Sequence, residues 1–219
     1  MTTQALLETH GGWLLTPEGA VVHPRERTAV IADVHLGYEW ARGHGGDCLP
    51  AHSLAETMEK LERLLGRVSI ERLVVAGDLV ESRRWCRKTE RDLDALAQWL
   101  RVRGVSLVPL AGNHDSPRRH EPLDTLEVAG WTIAHGHLEV AAARTISGHL
   151  HPVLRTAEVS VPCFLVGTKA IVLPAFSPNA AGVSLAALGM PHKSFRCIAA
   201  AGEELFDFGP VHALLGALR

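Results

Sequence analysis

The sequence predicts an α/β fold in which two mixed β-sheets pack on each other and helices cover their outer faces. Three observations predict it. The first half alternates buried strand-like runs with amphipathic helical runs, and beyond Trp131 the helical period fades into short β-type runs. A hydrophobic content of 47% over 219 residues is enough to bury a sizeable core. No internal repeat, low-complexity tract or long linker separates the halves, so residues 1–219 are expected to form one domain.

The elements follow in order. Trp13-Leu14-Leu15 and Ala20-Val21-Val22 flank Thr16-Pro17-Glu18-Gly19, a proline and glycine turn signal that makes residues 13–22 a hairpin. Residues 28–32 are a buried strand ending at Asp33. A helix is expected from Ser53, because Ser53-Leu54-Ala55-Glu56 has the form of a capping box and Leu54, Met58, Leu61 and Leu65 keep one apolar face. Residues 72–76 form the next strand and end at Gly77-Asp78. Leu93, Leu96, Ala97 and Leu100 predict a second helix over residues 89–103, before a strand at 106–110 that runs into Gly112. Residues 131–134, 144–147, 163–166, 170–173 and 194–199 then read as strands of a second sheet.

Composition narrows the function classes. With 22 basic against 24 acidic residues there is no global positive field, so any attraction for a polyanion is local. Four cysteines lie far apart without a CxxC pair and are expected to be reduced and buried. Residues 1–12 lack the basic start and apolar run of a signal peptide, and no stretch of about 18 apolar residues occurs. A cytoplasmic protein that does not cross a membrane is expected. Thirteen histidines stand out, and six of them fall in the clusters that carry the chemistry.

Those clusters sit where strands give way to loops: Asp33-Val34-His35, Gly77-Asp78, Gly112-Asn113-His114-Asp115, His135-Gly136-His137 and Gly148-His149-Leu150-His151. Strand ends are where α/β proteins place their sites. One such cluster is uninformative, since a lone histidine is more often a hydrogen-bonded structural residue than a ligand. Together their carboxylate, imidazole and carboxamide donors suit manganese, iron or zinc, and the absence of thiolates argues against a closed structural zinc site. The glycines let the backbone bend sharply and come close to ions or phosphate oxygens.

The order DxH, GD, GNHD, a lone His and GHxH resembles the calcineurin-like metallophosphoesterase superfamily, whose pattern is matched here in full. The resemblance implies a four-layer αββα sandwich of metallophosphatase type and two divalent metal ions, manganese first, with iron and zinc as alternatives. It implies one ion held by Asp33, His35 and His151, a second by Asn113, His135 and His149, and Asp78 bridging both. The reaction it implies is hydrolysis by in-line attack of a hydroxide shared by the ions, without a covalent enzyme intermediate. By the same resemblance His114 faces the substrate, protonating the leaving oxygen or stabilising the charged transition state, and Asp115 orients it. The bland alternative is that Asp115 only caps a helix. For His137 a structural role stands beside a functional one, because the pattern points to His135 as the ligand of that pair.

Within the superfamily, the hairpin at Trp13, the run Ile31-Ala32-Asp33-Val34-His35-Leu36-Gly37-Tyr38-Glu39 through Pro50, and Gly148-His149-Leu150-His151-Pro152 are similar to the ligase-associated DNA-damage-response endonucleases. That branch implies a manganese-dependent DNA phosphodiesterase acting in repair on single-stranded DNA, beside DNA ligase and helicase proteins, as a monomer or homodimer. One departure stands out: the branch carries a histidine shortly after Gly-Asp, where this chain reads Leu79-Val80-Glu81-Ser82. Local charge agrees with a nucleic-acid substrate. Arg83, Arg84, Arg87, Lys88 and Arg91 surround Trp85, offering backbone-tracking cations and a stacking platform, and Arg118 and Arg119 add phosphate contacts. Against this stands a solvated loop with Trp85 packed inward. Three rivals share some of the pattern: a hydrolase of small phosphorylated metabolites or cyclic nucleotides, a lipid-precursor pyrophosphatase, and a non-catalytic scaffold. The pyrophosphatase carries Arg where this chain has His114, and the intact donor set argues against the scaffold.

Overall fold

The structure is a computed structural model that describes residues 3–115, 122–188 and 194–217. Its first half contains β1 (Thr3–Gln4), β2 (Leu7–Glu8), β3 (Leu14–Leu15), β4 (Val21–His23), β5 (Thr28–Ile31), α1 (Tyr38–His44), α2 (Ser53–Arg67), β6 (Arg72–Val75), α3 (Arg87–Val102) and β7 (Ser106–Pro109). The second half contains β8 (Thr125–Val128), β9 (Trp131–Ala134), β10 (Thr145–Ser147), β11 (Pro152–Arg155), β12 (Ser160–Val166), β13 (Ala170–Val172), β14 (Val183–Ser184), β15 (Arg196–Ala201), β16 (Glu204–Pro210) and α4 (Val211–Ala217).

The strands form two mixed sheets. The first runs β2-β3-β4-β5-β6-β7, antiparallel through the hairpins as far as β5 and parallel across β5, β6 and β7. The second runs β1-β16-β15-β12-β13-β10-β9-β8, with β11 paired to β12 and β14 paired to β11. Its middle is parallel across β9, β10 and β13. Because β5, β6 and β7 point one way, the loops after them open at one edge, and those after β9 and β10 open together in the same manner.

Two-residue alternation assigns each strand's two faces to different cores. On β6, Val74 joins Trp13 and Val30 against Trp131, Ile133, Ile146 and Phe164 of the second sheet. Its neighbours Leu73 and Val75 turn the other way, onto Leu61 and Leu64 of α2 and Leu96 and Leu100 of α3. Burial on both faces is why β5 and β6 read as continuous apolar runs. The far face of the second sheet carries Cys163, Leu165, Val172 and Cys197 against Val211, with Leu214 and Leu215 of α4 packed alongside. The layers are therefore helix, sheet, sheet, helix, the αββα sandwich expected. Leu73 is fully buried, so truncating it to Ala costs about 2–5 kcal/mol, from apolar surface no longer shielded and the cavity left behind.

Several local expectations need correction. The capping box at Ser53 is absent, since His52 holds the cap position and makes no side-chain cap bond. Ser53 lies inside the helix, its hydroxyl accepting the Gly37 amide at 3.2 Å and its own amide donating to Glu39 at 3.4 Å. A longer-range tie between α2 and the chain around α1 has displaced the local cap. The core stripe of α2 is centred on Thr57, Leu61 and Leu64, while Leu54, Met58 and Leu65 flank it. Helix α3 starts at Arg87 rather than 89, and Ala97 on it is exposed. Of the four thiols only Cys163 and Cys197 are buried, whereas Cys86 is half-buried and Cys48 exposed; all are free. Among the described residues no helix is long and apolar enough to cross a membrane.

Candidate metal centre

Backbone pairing that outlasts the strands builds the site. Beyond β5 and β6 the two loops continue side by side: the amides of Asp33, His35 and Leu36 donate to the carbonyls of Gly77, Asp78 and Leu79 at 3.2, 3.0 and 3.0 Å, and Glu81 N–H donates to Leu36 at 3.0 Å. The loop after β7 is clipped onto this pair. Asp115 accepts the amides of Val80 and Gly112 at 3.1 and 3.0 Å, and the His114 amide donates to Asp78 Oδ1 at 2.8 Å. From the second sheet, Gly148 N–H donates to the His135 carbonyl and the His149 amide to Asp33 Oδ2, at 3.0 and 2.9 Å. A side chain at Gly148 would collide with Ala32 and the Asp33 carboxylate, and one at Gly112 with Asp78, which is why those two positions are glycine.

All five predicted clusters thus meet at one place. Asp33, His35 and His151 bring their donor atoms together in one set, and Asp78, His135 and His149 in another. Asn113 joins the second set through its Oδ1, 3.0 Å from His135 Nε2. Asp78 Oδ2 lies 3.2 Å from the same nitrogen, while its other oxygen holds the His114 amide. The backbone is strained here: Asp33, His35, Asp78, His149 and His151 all have left-handed φ, between 42° and 68°. For non-glycine residues such conformations cost of order 1 kcal/mol or more each, and they persist only where surrounding structure holds them.

The donors fit divalent ions. Among the described residues, Asp33 Oδ1, His35 Nε2 and His151 Nε2 are buried without an aligned hydrogen bond, although Asp33 Oδ1 and His151 Nε2 lie 3.1 Å apart; a cation taking their lone pairs would relieve that state. Charge distribution agrees. Burial works to raise the Asp78 carboxyl, but the His135 ring and His114 amide outweigh it and hold it down at about 2. Burial likewise opposes a proton on His135, yet Asp78 and Asp33 draw one on, so its ring titrates above the usual range. That proton stands where a metal would compete for the same lone pair. Burial and the nearby His135 push His149 below the ordinary histidine range, leaving a neutral imidazole suited to ligation.

The remaining candidates divide. His114 Nδ1 lies 2.7 Å from the Glu81 carbonyl, not from Asp115, so the expectation that Asp115 orients the His114 ring is corrected: its carboxylate clips the loop to Val80 and Gly112 instead. A carbonyl only accepts, so His114 Nδ1 carries a proton and Nε2 is the atom left for a substrate. Burial raises the Asp115 carboxyl. His137 packs its ring 5.1 Å from His135 and 6.3 Å from His149, beside the second set. Arg83 reaches the site, its Nε donating to the Asp115 carbonyl at 3.2 Å. Trp85 is 58% exposed, which overturns the inward-packed alternative. Arg83, Arg84, Trp85, Arg87 and Arg91 line a groove of about 1050 Å³ together with Glu90, Asp94 and Asp115. Lys88 leaves that cluster and stacks on Trp40 at 4.2 Å. Arg118 and Arg119 lie outside the described residues.

Sequence reasoning missed Glu81 as a member of the site. Its carboxylate lies 2.8 Å from His35 Nδ1, and the only sequence signal was a carboxylate in the stretch where the resembling branch has histidine.

Comparison with known proteins agrees with this geometry. Residues 26–155 match the family model for calcineurin-like phosphoesterases. The chain is 36% identical over 110 residues to the DNA double-strand break repair protein Mre11 of Methanopyrus kandleri, a match covering 48% of this chain and 23% of that protein. The chain thus spans less than a quarter of that relative's length. The fold of this chain is similar to that of the Pseudomonas putida nuclease MPE, with a TM-score of 0.68 at 23% identity, covering 94% of this chain and all of the other. The chain belongs to the calcineurin-like phosphoesterase family.

Proposed function

We propose that this protein is a dinuclear-metal phosphodiesterase that cleaves single-stranded DNA in repair, as the ligase-associated endonucleases do. The observation that carries the reading is the groove lined by Arg83, Arg84 and Arg87 with Trp85 exposed, whose lining also includes Asp115, the residue after His114. Guanidinium groups follow a phosphate backbone and an exposed indole accepts a stacked base, a combination that a small phosphomonoester does not require. Similarity to a protein named for double-strand break repair and to one titled a nuclease supports a nucleic-acid substrate.

Asp33, His35 and His151 would hold one ion, Asn113, His135 and His149 the other, with Asp78 between them. The oxygen and nitrogen donor set favours manganese, with iron and zinc as alternatives. When bound, two such ions polarise the phosphoryl group and make water nucleophilic at neutral pH. The chain's own residues do the rest. His114, with Nδ1–H bonded to the Glu81 carbonyl, gives a proton from Nε2 to the leaving oxygen when its ring is doubly protonated, and is left as the neutral Nδ1–H tautomer. Arg83, tied to the loop that carries His114, meets the neighbouring phosphate. The test is incubation of circular single-stranded DNA with manganese beside a panel of phosphomonoesters. Metal-dependent incision of the circle at rates above those on the monoesters is expected; rapid monoester hydrolysis with an intact circle would refute the nuclease reading in favour of a metabolite phosphatase.

A further inference from the structure

We infer that Glu81 is a positioning residue that fixes the ring of His35 for metal binding and links it to His114. The inference rests on the reading of Asp33, His35 and His151 as a metal set. Imidazole has two nitrogens and presents only one lone pair to an ion, so the other must be given a hydrogen-bond acceptor if the ring is to hold one tautomer and one orientation. In His35 both nitrogens are buried, and neither has an aligned hydrogen bond among the described residues. The Glu81 carboxylate lies at 2.8 Å from Nδ1. A proton placed on Nδ1 leaves Nε2 as the lone pair for the ion.

Backbone register makes this approach a built feature rather than a chance one. Glu81 N–H is bonded to the Leu36 carbonyl at 3.0 Å, one residue beyond His35, and Leu36 N–H to Leu79 at 3.0 Å. The Glu81 side chain is 22% exposed and that of His35 only 6%, so little water competes for the pair. The main chain of the same residue serves the second histidine, its carbonyl 2.7 Å from His114 Nδ1. The two rings stand edge to face, 5.2 Å between centroids. One residue therefore orients a ligand of the first ion with its side chain and the substrate-facing imidazole with its backbone.

Glu81→Ala and Glu81→Gln separate these roles, since both keep the main-chain carbonyl and only Gln keeps an acceptor oxygen for His35 Nδ1. Manganese titration by calorimetry or electron paramagnetic resonance is the readout, with Asp33→Asn as the control that disables the first set. Glu81→Ala is expected to weaken one of two manganese affinities by roughly 10–100-fold, and Glu81→Gln to restore it to within a few-fold of the native protein. A melting temperature held in both variants keeps the result from being one of misfolding. If Glu81→Ala titrates like the native protein while Asp33→Asn loses a site, the metal centre stands and the role of Glu81 falls. If Gln is as damaging as Ala, the carboxylate acts by its charge or by ligation, and the positioning role is overturned. Native protein that binds no manganese would overturn the metal reading itself.

Discussion

Replacing Arg83, Arg84 and Arg87 together by Ala tests whether the groove beside the metal centre carries a nucleic-acid backbone. All three line that groove together with Arg91, the carboxylates of Glu90, Asp94 and Asp115, and apolar residues such as Leu93, Leu107 and Val108, so removing them takes most of its positive charge without touching the donor atoms. Each cation that no longer neutralises a phosphate should flatten the dependence of log affinity on log salt by about 0.7 for a single strand. Removing three cations amounts to a slope change of about 2, and between about 50 and 200 mM salt that makes the native protein lose roughly 20-fold more affinity than the variant. Binding of a fluorescent single-stranded oligonucleotide across that salt range measures it directly. Hydrolysis of bis-nitrophenyl phosphate, which reaches the metals without spanning the groove, should change little, although Arg83 also braces the Asp115 carbonyl. A variant that binds and cuts DNA with an unaltered salt slope would refute the assignment of the groove as the DNA track.

Four further outcomes are expected. Asp78→Asn should lower metal content more than loss of any peripheral donor, because a carboxylate between two dications offsets their repulsion; two ions retained at full occupancy by elemental analysis would contradict this. His114→Ala should keep both ions yet lose about 10²–10⁴-fold in rate, with a smaller defect on nitrophenyl esters than on poor leaving groups. Gly148→Ala should destabilise by about 1–3 kcal/mol in thermal melts and impair manganese binding, since the added methyl meets Ala32 and the Asp33 carboxylate. Lys60 donates to the Phe176 carbonyl at 2.8 Å, and burial, with Arg63 nearby, pushes its ammonium down to about 8 despite Glu18. The unfolded chain then binds more protons than the folded one between that value and the ordinary lysine value of 10.5, so this group makes stability rise with pH across that window and contributes its full penalty below it. Metal-free Lys60→Met should lack that rise, as melts at pH 8 and about 10 would show.

The sequence by itself determined the kinds of donor, their order and their placement at strand ends, because each cluster is local and each strand announces itself by apolar runs of four or five residues. Asp33 after β5, Asp78 after β6 and His135 after β9 needed no more than that. It also carried the two-sheet architecture, since burial on both faces leaves a continuous apolar signature. Tertiary structure decided what depends on register between distant segments. The tie from the His149 amide to Asp33 spans 116 residues, and no periodicity encodes it. The same holds for Asp115, whose carboxylate is claimed by the backbone of Val80, 35 residues away, before it can serve its neighbour His114. Ser53 bonds Gly37 instead of capping its helix for this reason, and Glu81 became a partner of His35 only because two loops continue the pairing of their strands. Local chemistry sets what a residue can do, while competition among partners brought close by the fold sets which of those things it does.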